Sequence, residues 1–280
     1  MKILIALMML LFTFNMAHAD FKPSEILKAM TLREKVGQLF VIRPDQLDTS
    51  LTLEQIHHDR KSGVKSLSPS MRKVLRDYPA GGFVLFAKNM DSPIQLMRYN
   101  DSLIKASKIY PVMAIDEEGG SIARIANSKG LSSPLRKFQS MKAIGQSGHT
   151  RQIASYIASY IKSYGFNLDF APVADINTNP ENIVIGDRAF GSDPGYVSKL
   201  AGEYLDGLHE QGVTGCLKHF PGHGDTKGDT HTDYVSVSKN WKQLLKAELI
   251  PFIDNLAKTD SVMIAHITMN NVTHDGLPAT

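Results

Sequence analysis

The stretch PVMAIDEEGG (residues 111–120) changes within ten residues from an apolar run to three acids and two glycines. Strands that are buried on both faces of a parallel sheet have continuous apolar sequences of this kind. The acids then follow the carboxyl end of the strand, where parallel barrels place their catalytic and binding groups. The stretch therefore predicts a parallel sheet with polar chemistry at one end of its strands.

Five other apolar runs resemble this one, and each is expected to form a strand. They occupy residues 36–42, 81–87, 168–176, 212–220 and 261–267. Between them lie patterns typical of amphipathic helices, at residues 91–108, 150–165, 193–212 and 241–258. Residues 44–80 form a longer polar insertion after the first strand. Alternating strands and helices predict an α/β fold with a parallel sheet, either closed as a barrel or open and doubly wound.

The distribution of polar residues favours the barrel. DEEGG follows the third strand, ADINTN the fourth, KHFPGHGD the fifth and HITMNN the sixth. A barrel gathers such strand ends around one mouth, whereas an open sheet gathers fewer of them at a switch point. No GxGxxG motif follows a strand, which disfavours a dinucleotide site. We therefore expect a TIM-type (β/α)8 barrel that is truncated after the sixth strand, because the sequence ends at Thr280 soon after that strand and two of the eight strand–helix units, about 30 residues each, do not appear.

The amino terminus has the features of a signal peptide. Lys2 is basic, residues 3–14 are apolar except for Thr13, and Ala17, His18 and Ala19 fit a small-residue cleavage site. We expect residues 1–19 to be the signal peptide and residues 20–280 to be one barrel domain whose C-terminal end is missing. The protein would then be periplasmic or secreted, with no membrane span after signal cleavage.

The net charge and the cysteine content of the chain argue against some classes of partner and of covalent bond. The formal net charge is only +3 and no run of Lys and Arg occurs, so a nucleic-acid partner is not expected. Cys216 is the single cysteine, which excludes an intramolecular disulfide and suggests a buried, inert thiol. We expect a monomer without a cofactor.

A second informative stretch is KHFPGHGDTKGDTHTD (residues 218–233), with three histidines, three aspartates, three glycines and one proline. One interpretation is a metal site built from His219, His223, Asp229 and His231. The proline and glycines argue against the helix that their spacing would need. A second is a polar surface loop. A third is a catalytic segment, in which Asp229 orients the imidazole of His231 for proton transfer.

This segment resembles the signature of glycoside hydrolase family 3 in its bacterial β-N-acetylhexosaminidase branch, which reads KHFPGHG followed by D-[ST]-H. AIDEEGGSIAR, NLDFAPVADI, IGDRAFGSDP and MIAHI resemble other family segments in the same order, so the resemblance covers nearly all of residues 32–280. It implies an exo-acting hydrolase that removes terminal β-linked N-acetylglucosamine from cell-wall or chitin-type oligosaccharides with retention. The alternatives are another family 3 β-glycosidase, a phosphorylase or a non-hydrolytic sugar-binding protein.

The resemblance also implies roles for individual residues in substrate binding. Asp116 would accept hydrogen bonds from sugar hydroxyls at the non-reducing end. Four cationic or polar side chains would donate to the sugar: Arg124, Arg188, Lys218 and His219. No metal is implied.

The catalytic groups implied by the resemblance are a histidine and its carboxylate partner. His231 would act as general acid/base, Asp229 would orient its ring, and His223 would brace the segment. A retaining mechanism also needs a carboxylate nucleophile. None of the three late aspartates stands in the context of the family's nucleophile, namely Asp254, Asp260 and Asp275. We therefore expect the nucleophile to lie beyond residue 280.

Overall fold

The computed structural model describes residues 23–58, 63–133, 135–226, 235–273 and 275–280. The predicted signal peptide, residues 1–19, lies outside these residues. In the described part of the chain, every helix is too short or too polar to cross a membrane.

The described residues contain ten short strands. They are β1 (Val41–Ile42), β2 (Gly82–Val84), β3 (Val112–Ile115), β4 (Glu117–Gly119), β5 (Ile122–Ala123), β6 (Leu168–Asp169), β7 (Thr214–Phe220), β8 (Val235–Val237), β9 (Ser261–Ile264) and β10 (Ile267–Met269). Six of them form one parallel sheet in the order β1-β2-β3-β6-β7-β9. Each strand of this sheet lies beside the one that precedes it along the chain. An open doubly wound sheet reverses its order at a switch point, so this order confirms the barrel type of fold.

Ten α-helices accompany the strands in the described part of the chain. They are α1 (Pro23–Ala29), α2 (Leu32–Gly37), α3 (Leu53–His57), α4 (Pro69–Asp77), α5 (Pro93–Ala106), α6 (Met141–Gln146), α7 (Thr150–Ser163), α8 (Pro194–Glu210), α9 (Trp241–Lys246) and α10 (Ile250–Asp254). Short 3-10 turns occupy Pro44–Leu47, Ala87–Asn89 and Gly186–Arg188. The polar insertion after β1 therefore contains α3 and α4.

The crossover helices α5 and α8 begin and end within two residues of the predicted bounds, 91–108 and 193–212. The Ser92 hydroxyl caps α5 and the Asp193 carboxylate caps α8, each by accepting an N–H from the first turn. Gly212 follows α8 with φ +68°, a left-handed conformation that glycine adopts without strain. Helices α7 and α8 approach so closely that a Cβ on Gly207 would lie 2.3 Å from the Arg151 carbonyl oxygen.

Apolar side chains cover both faces of the sheet. Ile115 and Leu217 belong to the large cluster between the sheet and the helices, whereas Ala114, Leu168 and Cys216 form a separate cluster on the other face. This arrangement explains the continuous apolar runs of the strands. The prediction of a buried Cys216 is confirmed, and burial raises the pKa of its thiol.

The prediction of a strand over residues 36–42 is wrong for its first five residues. Val36 lies in α2, and only Val41–Ile42 forms the strand. The reason is a capping box, in which Thr31 and Glu34 exchange side-chain and backbone hydrogen bonds and so start a helix. Local capping therefore outweighs the β-branched composition of this run.

The prediction of one helix over residues 241–258 also needs correction, because the segment forms the two short helices α9 and α10. Pro251 lies in the first turn of α10. A proline in a helix interior lacks the N–H for the ladder and clashes with the preceding turn, so one continuous helix could not pass through it.

A small second sheet joins β8 to β10 in parallel, with Val235 opposite Ile267. It has its own apolar cluster, formed by Val235, Val237, Leu244, Leu249, Ala265, Ile267 and Met269. The chain that follows residues 227–234 is thereby attached to the segment that follows the sixth strand of the main sheet.

Candidate active site

A buried lysine lies between two carboxylates at the carboxyl ends of the central strands. Lys218, in β7, is 1% exposed, and its Nζ is 2.6 Å from Glu118 Oε1 and 3.0 Å from Asp116 Oδ1. Burial lowers the pKa of Lys218, but the two carboxylates outweigh burial and raise it above its ordinary value. Buried ion pairs recover their desolvation cost poorly, so stability alone is a weak reason for this arrangement.

Two arginines complete the cluster. Arg124 Nη2 lies 3.0 Å from Asp116 Oδ2, and Arg188 binds Glu118 with both arms of its guanidinium, at 2.9 and 2.8 Å. Burial raises the pKa values of Asp116 and Glu118, but the neighbouring cations outweigh it and hold both below the ordinary range. Both carboxylates are therefore ionised at neutral pH.

A tight hairpin brings Arg124 over Asp116. Strands β4 and β5 pair in antiparallel fashion, and Gly119 at the end of β4 and Gly120 in the turn have φ values of +97° and +59°. Such positive φ angles favour glycine. The Arg124 N–H then donates to the Asp116 carbonyl oxygen at 3.3 Å, which fixes the two side chains on the same side of the hairpin.

His219 is held by an aspartate that the sequence analysis did not select. Its Nδ1 lies 2.6 Å from Asp175 Oδ2, and its Nε2 lies 3.5 Å from Arg188 Nη2. Burial raises the pKa of Asp175, but His219 outweighs burial and lowers it. The carboxylate assigns the proton of a neutral imidazole to Nδ1. Nε2 of the neutral ring is then an acceptor, and Arg188 Nη2 is the donor beside it.

Asp175 also anchors the chain that leads into residues 227–234. Its Oδ1 accepts the backbone N–H of His223 at 2.6 Å. The His223 ring Nδ1 lies 2.7 Å from Thr226 Oγ1, and the Asn182 side chain donates to the His223 carbonyl oxygen at 2.7 Å. These contacts agree with the expectation that His223 braces the segment.

The predicted catalytic pair, Asp229 and His231, lies outside the described residues, so its role stays a prediction. The metal interpretation depends on the same two residues. Within the described ranges, no three His, Cys, Asp or Glu side chains cluster as a metal site would need. Nδ1 of His219 is bound to Asp175, and Nδ1 of His223 contacts Thr226.

Two of the late aspartates have structural partners. Asp254 accepts a hydrogen bond from the Ser198 hydroxyl at 2.7 Å. Asp260 lies 2.7 Å from His209 Nε2, and it precedes β9, at the opposite ends of the strands from the cluster. Neither carboxylate is placed to attack a ligand beside Lys218.

The cluster opens into a cavity of about 420 Å³. This volume lies in the range of small-ligand sites. All five predicted substrate-binding residues line it, namely Asp116, Arg124, Arg188, Lys218 and His219. A neighbouring hollow of about 440 Å³ shares Ile122, Val184 and Arg188 with it.

Several chemically important residues of this site were not predicted from the sequence. They are Arg43, Phe86, Glu118, Asp175 and His266. Signals existed for three of them, because Glu118 belongs to the acidic cluster DEEGG, Asp175 to the polar end of the fourth strand and His266 to the polar end of the sixth. Arg43 is the first residue after β1, but the sequence around it carried no chemical pattern.

Comparisons with known proteins agree with this geometry. The model of the glycosyl hydrolase family 3 N terminal domain matches residues 31–280. Beta-hexosaminidase A of Pseudoalteromonas piscicida is 32% identical over 222 residues, which are 75% of this chain and 36% of that protein. Beta-hexosaminidase of Xanthomonas campestris pv. campestris (strain B100) is 34% identical over 210 residues, with coverages of 74% and 63%.

A solved structure is also similar, that of a glycoside hydrolase family 3 beta-N-acetylglucosaminidase from Paenibacillus sp. str. FPU-7. Its TM-score is 0.75 at 31% sequence identity, and the match covers 89% of this chain and 44% of that one. The chain thus spans between about a third and two thirds of the length of these relatives. Because the family model covers far more than half of the chain, the protein belongs to glycoside hydrolase family 3.

Proposed function

We propose that the full-length protein is an exo-acting β-N-acetylhexosaminidase that removes terminal β-linked N-acetylglucosamine from cell-wall or chitin-type oligosaccharides. The observation that carries this proposal is the cavity in which Lys218 joins Asp116 to Glu118. The activity named for the similar proteins supports it.

The cluster suits a sugar because a hydroxyl both donates and accepts hydrogen bonds. Asp116 supplies a charged acceptor, whereas Arg124, Arg188 and Lys218 supply charged donors. Hydrogen bonds with one ionised partner are stronger than neutral ones. The side chains are already fixed by one another, so a sugar would bind without much reorganisation of the site.

The proposed reaction proceeds with retention in two steps. A carboxylate, which we place beyond residue 280, attacks the anomeric carbon while the glycosidic C–O bond breaks and His231 gives its proton to the leaving oxygen. Water then attacks the glycosyl-enzyme bond, His231 takes a proton from that water, and the carboxylate is released. Asp229 would orient the imidazole. The ordinary pKa of a histidine side chain lies near neutrality, which suits a group that both gives and takes a proton.

The test is hydrolysis by the full-length protein of a chromogenic β-N-acetylglucosaminide and of diacetylchitobiose. His231→Ala should lower kcat on the disaccharide by about 10²–10⁴-fold, and less on the chromogenic substrate, whose good leaving group needs little protonation. His57→Ala, on exposed α3, is the matched control and should leave kcat unchanged.

Three results would reject parts of this proposal. A strong preference for the matching β-glucoside would reject the amino-sugar assignment. Phosphate-dependent release of a sugar 1-phosphate would indicate a phosphorylase. Near-normal turnover of diacetylchitobiose by His231→Ala would reject the acid/base role.

We also propose that the protein is exported with residues 1–19 as its signal peptide, that it acts on wall fragments outside the cytoplasm, and that it is a monomer. The apolar character of residues 3–14 and the Ala17-His18-Ala19 sequence support export. Cell fractionation with amino-terminal sequencing tests the first point, and light scattering after gel filtration tests the last.

A further inference from the structure

Arg43 directly follows β1, so it lies at the same ends of the sheet as the carboxylate cluster. It is half-buried and lines the cavity of about 420 Å³ together with Asp116 and Lys218. Its backbone N–H donates to Gln46 Oε1 at 3.2 Å, and its Nη1 donates to the Ile56 carbonyl oxygen at 3.1 Å. The side chain is therefore positioned before any ligand binds.

Arg43 and Arg124 share one aromatic ring. The Arg43 guanidinium carbon lies 4.4 Å from the centroid of Phe86, and that of Arg124 lies 5.5 Å from it. Both distances are within the range of cation–π contacts. Arg124 is neutralised by Asp116, whereas Arg43 has no carboxylate within 4.0 Å among the residues that the structure describes. Asp116 thus balances the charge of Arg124, whereas no described carboxylate balances the charge of the neighbouring Arg43.

The contacts of Arg43 within the protein do not account for its presence. Its acceptor, the Ile56 carbonyl oxygen, already receives a hydrogen bond from Lys88 Nζ at 2.8 Å. A guanidinium carries five N–H donors, and stacking on a ring leaves the donors at its edge available. Arg43 therefore has donor capacity in the cavity beyond what the protein uses.

We propose that Arg43 is a further substrate-binding residue, which donates to a hydroxyl oxygen at the non-reducing end of the terminal sugar. This inference rests on the proposed function, which assigns that end of the sugar to Asp116. Arg43 is linked to Asp116 through Phe86 and Arg124, so it lies beside the same part of the ligand. It would make the site selective for a terminal sugar whose hydroxyl at that position is free.

The experiment compares R43Q with wild type in the full-length protein on three substrates: 4-nitrophenyl β-N-acetylglucosaminide and its 4-deoxy and 6-deoxy analogues. R43Q should lower kcat/KM for the parent compound about tenfold, mostly through KM, because the lost contact binds substrate and transition state alike. On the analogue that lacks the contacted hydroxyl, wild type and R43Q should agree within about twofold.

The matched control is R33Q. The Arg33 guanidinium lies 5.1 Å from the Tyr78 ring centroid and donates to the Asp77 carbonyl oxygen at 2.9 Å, so it has the same kinds of contact away from the cavity. R33Q should match wild type on all three substrates. If R43Q does not fold, R43K keeps the charge and should show a smaller loss with the same dependence on the analogue.

Two outcomes would overturn the inference. One is parent activity of R43Q equal to that of R33Q. The other is an equal loss on all three substrates, which would indicate that Arg43 supports the fold or pairs with a protein carboxylate. If wild type hydrolyses none of the three substrates, the proposed function itself fails, and the inference fails with it.

Discussion

Glu117 and Glu118 are neighbours in β4, and both are fully buried, yet they lie in opposite environments. Glu118 faces two cations, Lys218 and Arg188. Glu117 faces the core, where its oxygens accept hydrogen bonds from two backbone N–H groups and, at 2.7 Å, from the Tyr160 hydroxyl. Alternation along the strand thus sends one acid to the cavity and the other to the interior.

The two pKa values move in opposite directions for this reason. Burial raises the pKa of Glu117, and its hydrogen bonds only partly offset that effect. Burial acts on Glu118 as well, but Lys218 and Arg188 outweigh it, so its pKa is lowered. Two adjacent glutamates can therefore have different roles, one in the cavity and one in the core. The charge of the groups around each carboxylate decides which role it has.

The largest effect is expected from Glu118→Gln. The substitution keeps the shape but leaves Lys218 and Arg188 without their shared negative charge. The free energy of unfolding should fall by about 3–5 kcal/mol, and kcat/KM on the chromogenic substrate should fall about 100-fold or more. Urea denaturation and steady-state kinetics measure the two losses. Full activity of this variant would show that Glu118, like Glu117, is needed only for stability.

Glu117→Gln should affect stability alone. Its amide NH2 must face a backbone N–H that now donates to the carboxylate, and such a mismatch costs about 1–3 kcal/mol. The melting temperature should fall, while kcat/KM per folded molecule should stay within about twofold of wild type. An unchanged melting temperature with lost activity would show that Glu117 belongs to the site.

The smallest effect at neutral pH is expected from Asp169→Asn. Asp169 is fully buried, its Oδ1 accepts the Glu117 N–H at 3.0 Å, and its Oδ2 has no hydrogen-bond partner among the residues that the structure describes. Burial raises its pKa well above the ordinary value, so asparagine resembles the protonated form, and stability should change by about 1 kcal/mol or less.

The same variant has a pH signature with a defined sign. A carboxyl whose pKa is raised by folding makes the folded state hold its proton more tightly than the unfolded state does. Wild-type stability should therefore decline as pH rises above the ordinary aspartate pKa, and Asp169→Asn should remove part of this decline. Urea unfolding of both proteins from pH 4 to pH 8 measures it. Parallel curves would show that Asp169 is ionised in the folded protein.

The sequence predicted the strand order and the five side chains that gather around the cavity, because strand ends meet at one mouth whatever their distance along the chain. It could not predict which acid pairs with which cation. Asp116 and Lys218 are 102 residues apart, and their contact depends on the parallel register of β3, β6 and β7. The periodicity of apolar residues also did not predict local breaks in helices. An example is the predicted helix over residues 241–258, which Pro251 divides into α9 and α10.

The pairing of Val235 with Ile267 means that the two ends of residues 227–234 are attached to parts of the chain that are synthesised at different times. Before residues 227–234, the chain is attached through the His223 N–H to Asp175, which is synthesised earlier. After them, Val235 pairs with Ile267, which is synthesised about thirty residues later. Lys218 has emerged by then. The residues of the carboxylate cluster around Lys218 are thus all synthesised before the partner strand that attaches the chain after residues 227–234, the segment with the proposed proton donor.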